Sequence, residues 1–387
     1  MTTAPPSPTS VLIRNARLYA PEHLGLRDIL LVGGRIMAIE PRLDISGLPE
    51  LTELDANGAS LSPGLVDTLT HITGGGGEGG YATRMPAMPA EDAWTSGVTT
   101  VTGALGTDAV QRTHTDMLAH ARYLATQGVS AYIYSGNYHL PVRTLSGSVQ
   151  TDLAWIPDVI GVGEVAIADH RGSHPTAEEL ARLSADVRVG AMLAGKKGVL
   201  SIHVGDHEDK LGVLFAAAER YPVRLSHFYP THINRTRELL QDGIRFAREG
   251  GVIDFTASTN EGLLAEGDID SPAAVAEALS AGVPAERLTL SSDAYASLPE
   301  FDADGRFVRV AMGQLHSMAE AVKRGVDDVG LGFDTMLKTV TVNPADVLGL
   351  PGKGRLAVGA DADLVLWSED LQVQGVISQG VVRRWPD

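Results

Sequence analysis

Residues 159–204, VIGVGEVAIADHRGSHPTAEELARLSADVRVGAMLAGKKGVLSIHV, hold one complete structural unit. Residues 159–167 are an apolar run of strand length interrupted by a single carboxylate, Glu164. The run leads into the ionisable triplet Asp169-His170-Arg171. A helical pattern follows over residues 177–194, with Thr176 placed to cap it. A second apolar strand, residues 199–204, carries His203 near its C-terminal end. Strand, helix and strand, with polar residues gathered where the strands end, describe one turn of a parallel β/α fold.

The same unit recurs on both sides. Residues 64–67, 98–104, 130–135, 223–228, 252–257 and 288–292 are further short apolar strands, and helical patterns such as 235–250 lie between most of them. Eight such strands predict a (β/α)8 TIM barrel over residues 63–349. The rival is an open doubly wound sheet, but no G-x-G-x-x-G follows an early strand. The glycine-rich run 74–80 holds Glu78 and does not lead to a Walker-type lysine. The chain ends have a different texture. Residues 11–20, 29–40, 51–61, 355–367 and 373–384 are β-rich, with Gly33-Gly34 as a hairpin turn. Residues 1–62 and 350–387 are therefore expected to form one small β-sandwich domain from both termini, making the whole an α/β fold.

Composition narrows the function. The chain has 387 residues, 44% hydrophobic and 20% charged, with a net charge of −17. That balance argues against nucleic acid or an anionic membrane as partner. No apolar run reaches the roughly 18 residues that span a bilayer. The opening MTTAPPSPTS lacks a basic n-region and an apolar h-region, so it reads as a disordered lead-in and the cytoplasm is the expected location. Cysteine is absent, which excludes disulfides, thiolate metal sites and a cysteine nucleophile. A transition-metal site here must use histidines and carboxylates.

A barrel places catalytic groups at the C-terminal ends of its strands. Asp67 and His71, Thr107 and Asp108, Tyr138 and His139, Glu164, Asp169-His170-Arg171, His203, His232 and Asp293 all fall there. One histidine at a strand end is more often a hydrogen-bonded core or surface group than a ligand. Glu164 says more, because a carboxylate in an apolar strand costs several kcal/mol unless a cation serves it. Histidines from strands one, five and six, a glutamate from strand four and an aspartate from strand eight would converge over one barrel mouth.

The order Asp67, His71, Glu164, His203, His232, Asp293 resembles the amidohydrolase superfamily, as do Ser62-Pro-Gly-Leu-Val-Asp67 and Gly359-Ala-Asp-Ala-Asp-Leu364. Several longer stretches resemble its isoaspartyl (β-aspartyl) dipeptidase branch. They are His71-Ile-Thr-Gly-Gly-Gly-Gly-Glu78, Leu105-Gly-Thr-Asp108, Tyr138-His-Leu-Pro-Val-Arg-Thr144, Asp169-His-Arg171, His203-Val-Gly-Asp206, Pro230-Thr-His-Ile-Asn-Arg235 and Ser291-Ser-Asp293. The resemblance implies a barrel of the metal-dependent hydrolase type that cleaves an amide with metal-activated water. It implies His203 and His232 on one metal, His71 and Asp293 on a second, and the strand-four group between them. Asp293 is implied as general base, and Gly76, Glu78, Thr107, Tyr138, Arg171, Arg235 and Ser297 as substrate-side positions. Forked arginines suit a dipeptide's carboxylates, Glu78 suits its α-ammonium, and Tyr138 suits a developing oxyanion. The resemblance further implies a large homo-oligomer such as an octamer.

Two positions depart from the pattern. The superfamily's His-x-His after strand one is Leu69-Thr70-His71, and the dipeptidase's carboxylated lysine on strand four is Glu164. One firmly bound ion, zinc being the expected metal, is therefore expected at His203, His232 and Glu164, with a second near His71 and Asp293 weaker or absent. His174, His207 and His227 are the remaining candidates to replace the missing ligand, and spacing favours none of them. The readings that follow are a metallo-dipeptidase acting on small β-aspartyl dipeptides; another superfamily hydrolase or deaminase acting on a cyclic amide or N-acyl amino acid; and a catalytically impaired homologue.

Overall fold

The computed structural model describes residues 10–48, 50–77, 79–301 and 307–386. Residues 1–9 of the lead-in and Glu78 lie outside the described residues.

The N-terminal segment forms β1 (Ser10–Tyr19), β2 (His23–Val32), β3 (Arg35–Glu40), β4 (Leu51–Asp55) and β5 (Ser60–Pro63). Gly33 and Gly34, at φ +59° and +79°, close the β2–β3 hairpin; two consecutive positive φ values are what a tight hairpin of this hand requires. The barrel strands follow as β6 (Leu65–Thr70), β7 (Val98–Gly103), β8 (Ser130–Ser135), β9 (Val159–Ile167), β10 (Val199–Val204), β11 (Phe228–Thr231), β12 (Ile253–Thr256) and β13 (Leu288–Ser291). β6 to β11 form one parallel sheet in chain order, and β12 pairs with β13. Two seams close the ring. Ile233 N donates to Asp254 O at 3.1 Å, and Asp293 N donates to Leu69 O at 3.1 Å beside His71 N to Ala294 O at 2.9 Å. A hairpin, β14 (Ser297–Phe301) with β15 (Phe307–Met312), follows the last barrel strand. The chain ends in β16 (Leu364–Trp367), β17 (Val373–Ser378) and β18 (Val381–Arg384). These join the N-terminal sheet through antiparallel β5–β16 pairing, giving the order β18-β17-β16-β5-β1-β2-β3 with β4 beside β1.

Strand six needs correction. It was expected at residues 223–228, but Leu225–His227 is a 3-10 turn and the strand is Phe228–Thr231. His227 N donates to Arg224 O at 2.9 Å and Arg224 N donates to His227 Nδ1 at 3.1 Å, so these residues spend their polar groups locally and cannot extend. The expected helix after strand four is Ala177–Leu193, where Thr176 and Glu179 form a reciprocal capping box.

The barrel packs its apolar strand residues against surrounding helices, with Leu65, Val101, Ile133, Val165, Ile202 and Leu290 all fully or almost fully buried. Its interior also carries saturated polar networks. Asp254 accepts from the hydroxyls of Tyr229 (2.9 Å), Thr231 (2.7 Å), Thr289 (2.6 Å) and Ser291 (2.5 Å). Asp67 accepts from Leu69 N (3.2 Å), Thr70 Oγ1 (2.7 Å), Ser292 N (3.0 Å) and the Ser292 hydroxyl. The terminal sheet is tied to the barrel by buried Lys353, whose Nζ reaches Asp363 Oδ2 and Ser130 Oγ, both at 2.6 Å.

Candidate active site

The mouth is built around Glu164. It is 1% exposed within β9, all of whose residues are buried. Its Oε2 lies 3.4 Å from His203 Nδ1 on β10 and 3.4 Å from His232 Nε2 just after β11. Its Oε1 is 3.7 Å from His71 Nε2 and has no hydrogen-bond partner among the described residues. Burial alone would raise this carboxyl's pKa, but the facing imidazoles of His203 and His232, with the charge of His71, hold it well below the usual range, so it stays ionised.

The two histidines beside it are oriented from behind. His232 sits at φ +66°, and its Nδ1 is 2.6 Å from Thr256 Oγ1, which leaves Nε2 facing Glu164. Burial, with the charges of Arg235 and His203, brings its pKa down to about 4, so the ring is neutral near pH 7. His203 Nε2 is 2.9 Å from Asp169 Oδ2. A proton on Nε2 shared with that carboxylate would leave the Nδ1 lone pair on Glu164's side of the cluster, where the Tyr138 hydroxyl lies at 2.8 Å; Arg235 Nη1 also approaches Nε2, at 3.1 Å. Asp169 also grips Arg171 through Nε (3.0 Å) and Nη2 (2.7 Å), so one carboxylate aligns an imidazole and a guanidinium. Burial works against ionisation of Asp169, yet His203 and Arg171 keep its pKa far below the ordinary carboxylate range.

The other side of the mouth is internally paired. His71 Nε2 lies 3.1 Å from Asp293 Oδ1, and Nδ1 lies 3.2 Å from Ala104 O. Burial would lower the His71 pKa, but the hydrogen bond and charge of Asp293, with Glu164, raise it to about 9. Asp293 is held low in turn: burial opposes ionisation, and the His71 hydrogen bond outweighs it. Gly106 makes this packing possible, since a Cβ there would come within 2.6 Å of the His71 ring.

Glu164, His203 and His232 offer ligand atoms that all lie within 4.8 Å of one another, and all three residues are buried. An ionised carboxylate with one unserved oxygen, beside histidine nitrogens left without their own protons, is a donor set that fits a divalent cation. Leu69 is 1% exposed and packs with Val66, Ala104, Tyr134 and Tyr229 in an apolar cluster. None of the three reserve histidines replaces it. His207 is exposed and pairs with Asp209, His227 closes its own 3-10 turn, and His174 is absent from the pocket lining.

His71, Gly76, Thr107, Tyr138, Arg171, His203, Arg235, Asp293 and Ser297 all line one pocket at this mouth. Arg235 Nη1 donates to Val204 O at 2.9 Å, and the Arg171 guanidinium lies 5.8 Å from the Tyr138 ring centre. Glu78 falls outside the described residues. Other strand-end groups are absent from the inner pocket's lining. Asp67 is consumed by its own network, Asp108 caps the turn at Val110 and Gln111, His139 contacts Arg171 O, and His170 is exposed. Thr256 and Gly106 were not singled out from sequence, and Asp169 was noted only within its motif. Its place two residues before Arg171 at a strand end was the available signal.

The chain matches the amidohydrolase family over residues 60–383. A β-aspartyl dipeptidase from Fervidobacterium islandicum AW-1, solved in complex with β-Asp-Leu dipeptide, is 39% identical, with 98% of this chain and 97% of that chain covered and a TM-score of 0.91. A second structure of β-aspartyl dipeptidase from the same organism is 37% identical, with 97% of each chain covered and a TM-score of 0.88. A dihydroorotase of Lactiplantibacillus plantarum is 25% identical over 94% of this chain and 90% of that protein. Matched over its barrel and aligned almost end to end with solved relatives, the chain belongs to the amidohydrolase family, in its β-aspartyl dipeptidase branch.

Proposed function

We propose that this chain hydrolyses the amide bond of β-aspartyl dipeptides, with a divalent ion held by Glu164, His203 and His232. The observation that carries the reading is the buried Glu164, with His203 and His232 at 3.4 Å from one carboxylate oxygen and the other oxygen unserved among the described residues, beside a pocket that presents Asp293, Tyr138 and two arginines. A divalent ion there supplies Lewis acidity and makes water nucleophilic near pH 7.

The protein's own groups do the rest. Asp293, kept ionised by His71, takes a proton from the attacking water on a carboxylate oxygen and returns it to the departing amine nitrogen. Burial, followed by the charge of Glu164, raises the Tyr138 phenol well above its ordinary pKa, so it remains a donor for the developing oxyanion. Arg171, pre-aligned by Asp169, and Arg235 bind substrate carboxylates. Gly76, Thr107 and Ser297 complete the walls, and Glu78 is assigned to the α-ammonium. The histidine and carboxylate donors support zinc as the ion. A second ion near His71 and Asp293 is weaker or absent, because Leu69 supplies no ligand and the remaining pair neutralises itself. The reading extends to a cytoplasmic homo-oligomer. Exposed apolar side chains, Trp155, Met192 and Leu193 on two packed helices, each 69–70% exposed, support subunit contacts. The domain division at residues 63 and 349 is supported by the sheet that joins both chain ends.

The dihydroorotase similarity favours cyclic amides as a second reading. One experiment separates the readings: metal analysis of the purified protein, with steady-state hydrolysis of β-Asp-Leu, dihydroorotate, dihydrouracil and N-acetyl amino acids. About one ion per chain and preferred turnover of β-Asp-Leu are expected. Asp293→Asn and Tyr138→Phe should each lower kcat by about 10²–10³ with the ion retained. Turnover of the cyclic substrates alone refutes the dipeptide reading. Empty protein that stays inactive after metal addition identifies an impaired homologue.

A further inference from the structure

The space beside the ligand trio is much larger than the reacting groups require. A cavity of about 700 Å³ opens from the mouth and shares Arg171, Arg235, Asp293 and Ser297 with the inner pocket. Its far wall has a different character. Asp206 follows β10, Glu266 ends the short helix Glu261–Glu266, and Asp268 comes just after it. Leu263 from that helix and Leu298 from β14 provide apolar surface between them.

The charges on this wall are not balanced by the protein. Asp169 is spent on Arg171 and His203, and Asp293 on His71. Among the described residues, Asp206, Glu266 and Asp268 have no ion pair or side-chain hydrogen bond. Burial raises the half-buried Asp268 carboxyl to about 6; Arg235 opposes that rise and Glu266 adds to it. A substrate carboxylate docked on Arg235 would neutralise the cation that opposes the rise at Asp268. Beyond the two arginines and His170, the chamber then presents the three acids and two leucines, which suit an aliphatic stem that ends in a cation.

We propose that this outer chamber selects dipeptides whose released residue carries a long cationic side chain, β-aspartyl-lysine or β-aspartyl-arginine. The inference rests on the dipeptidase reading above. The aspartyl half of such a substrate is small and constant, and the inner pocket is small. The released residue is the variable half, and the chamber is the roomy continuation from the two arginines.

The test is kcat/KM for β-Asp-Lys, for β-Asp-norleucine, which keeps the stem and lacks the ammonium, and for β-Asp-Glu. The lysine substrate should exceed norleucine by about tenfold, the scale of one charge-assisted contact, and β-Asp-Glu should be the poorest of the three. The lysine-to-norleucine ratio should fall towards one in Asp268→Asn, Glu266→Gln and their double variant. A general folding defect lowers both substrates and leaves that ratio intact. Equal turnover of lysine and norleucine substrates by the parent enzyme, or a ratio unmoved by the double variant, overturns the specificity and leaves the dipeptidase reading standing. No turnover of any β-aspartyl dipeptide overturns both.

Discussion

Glu164 on β9 and Asp254 on β12 are two carboxylates buried almost equally in one barrel, and they serve opposite ends. Asp254 collects four hydroxyl donors between 2.5 and 2.9 Å, so its charge is spread over hydrogen bonds and nothing more is needed. Glu164 has two imidazoles at 3.4 Å on one oxygen and, among the described residues, no hydrogen-bond partner on the other. Burial disfavours both charges, but only one has been left in want of a cation. Satisfaction of the lone pairs, more than burial, separates a structural acid from one available for chemistry.

The sharpest way to break that comparison is to remove each carboxylate. Glu164→Ala should lose the bound ion and at least about 10³-fold in kcat/KM on β-Asp-Leu, with Tm little changed. Asp254→Ala should keep its ion but take the shared acceptor from four buried hydroxyls, costing about 2–4 kcal/mol and lowering Tm. If both variants lose Tm and keep metal, the distinction fails. A smaller effect is expected behind the site. Asp169→Asn removes the acceptor that sets the His203 tautomer, so metal affinity should fall about 10–100-fold. KM should rise with it, because Arg171 loses the same anchor; a change in only one of the two would show that the carboxylate does not couple them. The smallest effect concerns Asp67. Its folded pKa is raised from 3.8 to about 6, chiefly by burial. A carboxyl raised on folding stabilises most below its unfolded pKa, and that contribution is lost as pH rises through the folded value. The Tm advantage of the parent over Asp67→Asn should therefore shrink between pH 4.5 and pH 7; a constant difference would show that Asp67 does not titrate there.

Much of this was legible because the chemistry follows strand ends. His71, His203, His232 and Asp293 were all expected at one mouth, and the structure brings them together around Glu164. Strand six was misplaced because Pro230 weakens the true strand as read from propensity, while Val223 and Leu225 imitate one. Glu164 stood out in sequence as a carboxylate in an apolar strand, but that Asp67 and Asp254 are satisfied was not legible, since Ser292, Thr289 and Ser291 come from a distant strand. Thr256 was missed for the same reason: its bond to His232 spans 24 positions.

The seam where β13 meets β6 has a consequence for how activity arises during synthesis. His71 and Asp293 are neighbours in space but 222 positions apart in the chain, joined only when the first and last barrel strands meet. Such a contact carries a high loop-closure cost and forms after more local pairings. A nascent chain would therefore already contain all three ligand residues before its proton acceptor had left the ribosome. Peptide-cleaving capacity would switch on at completion of the ring, with no separate inhibitory segment required.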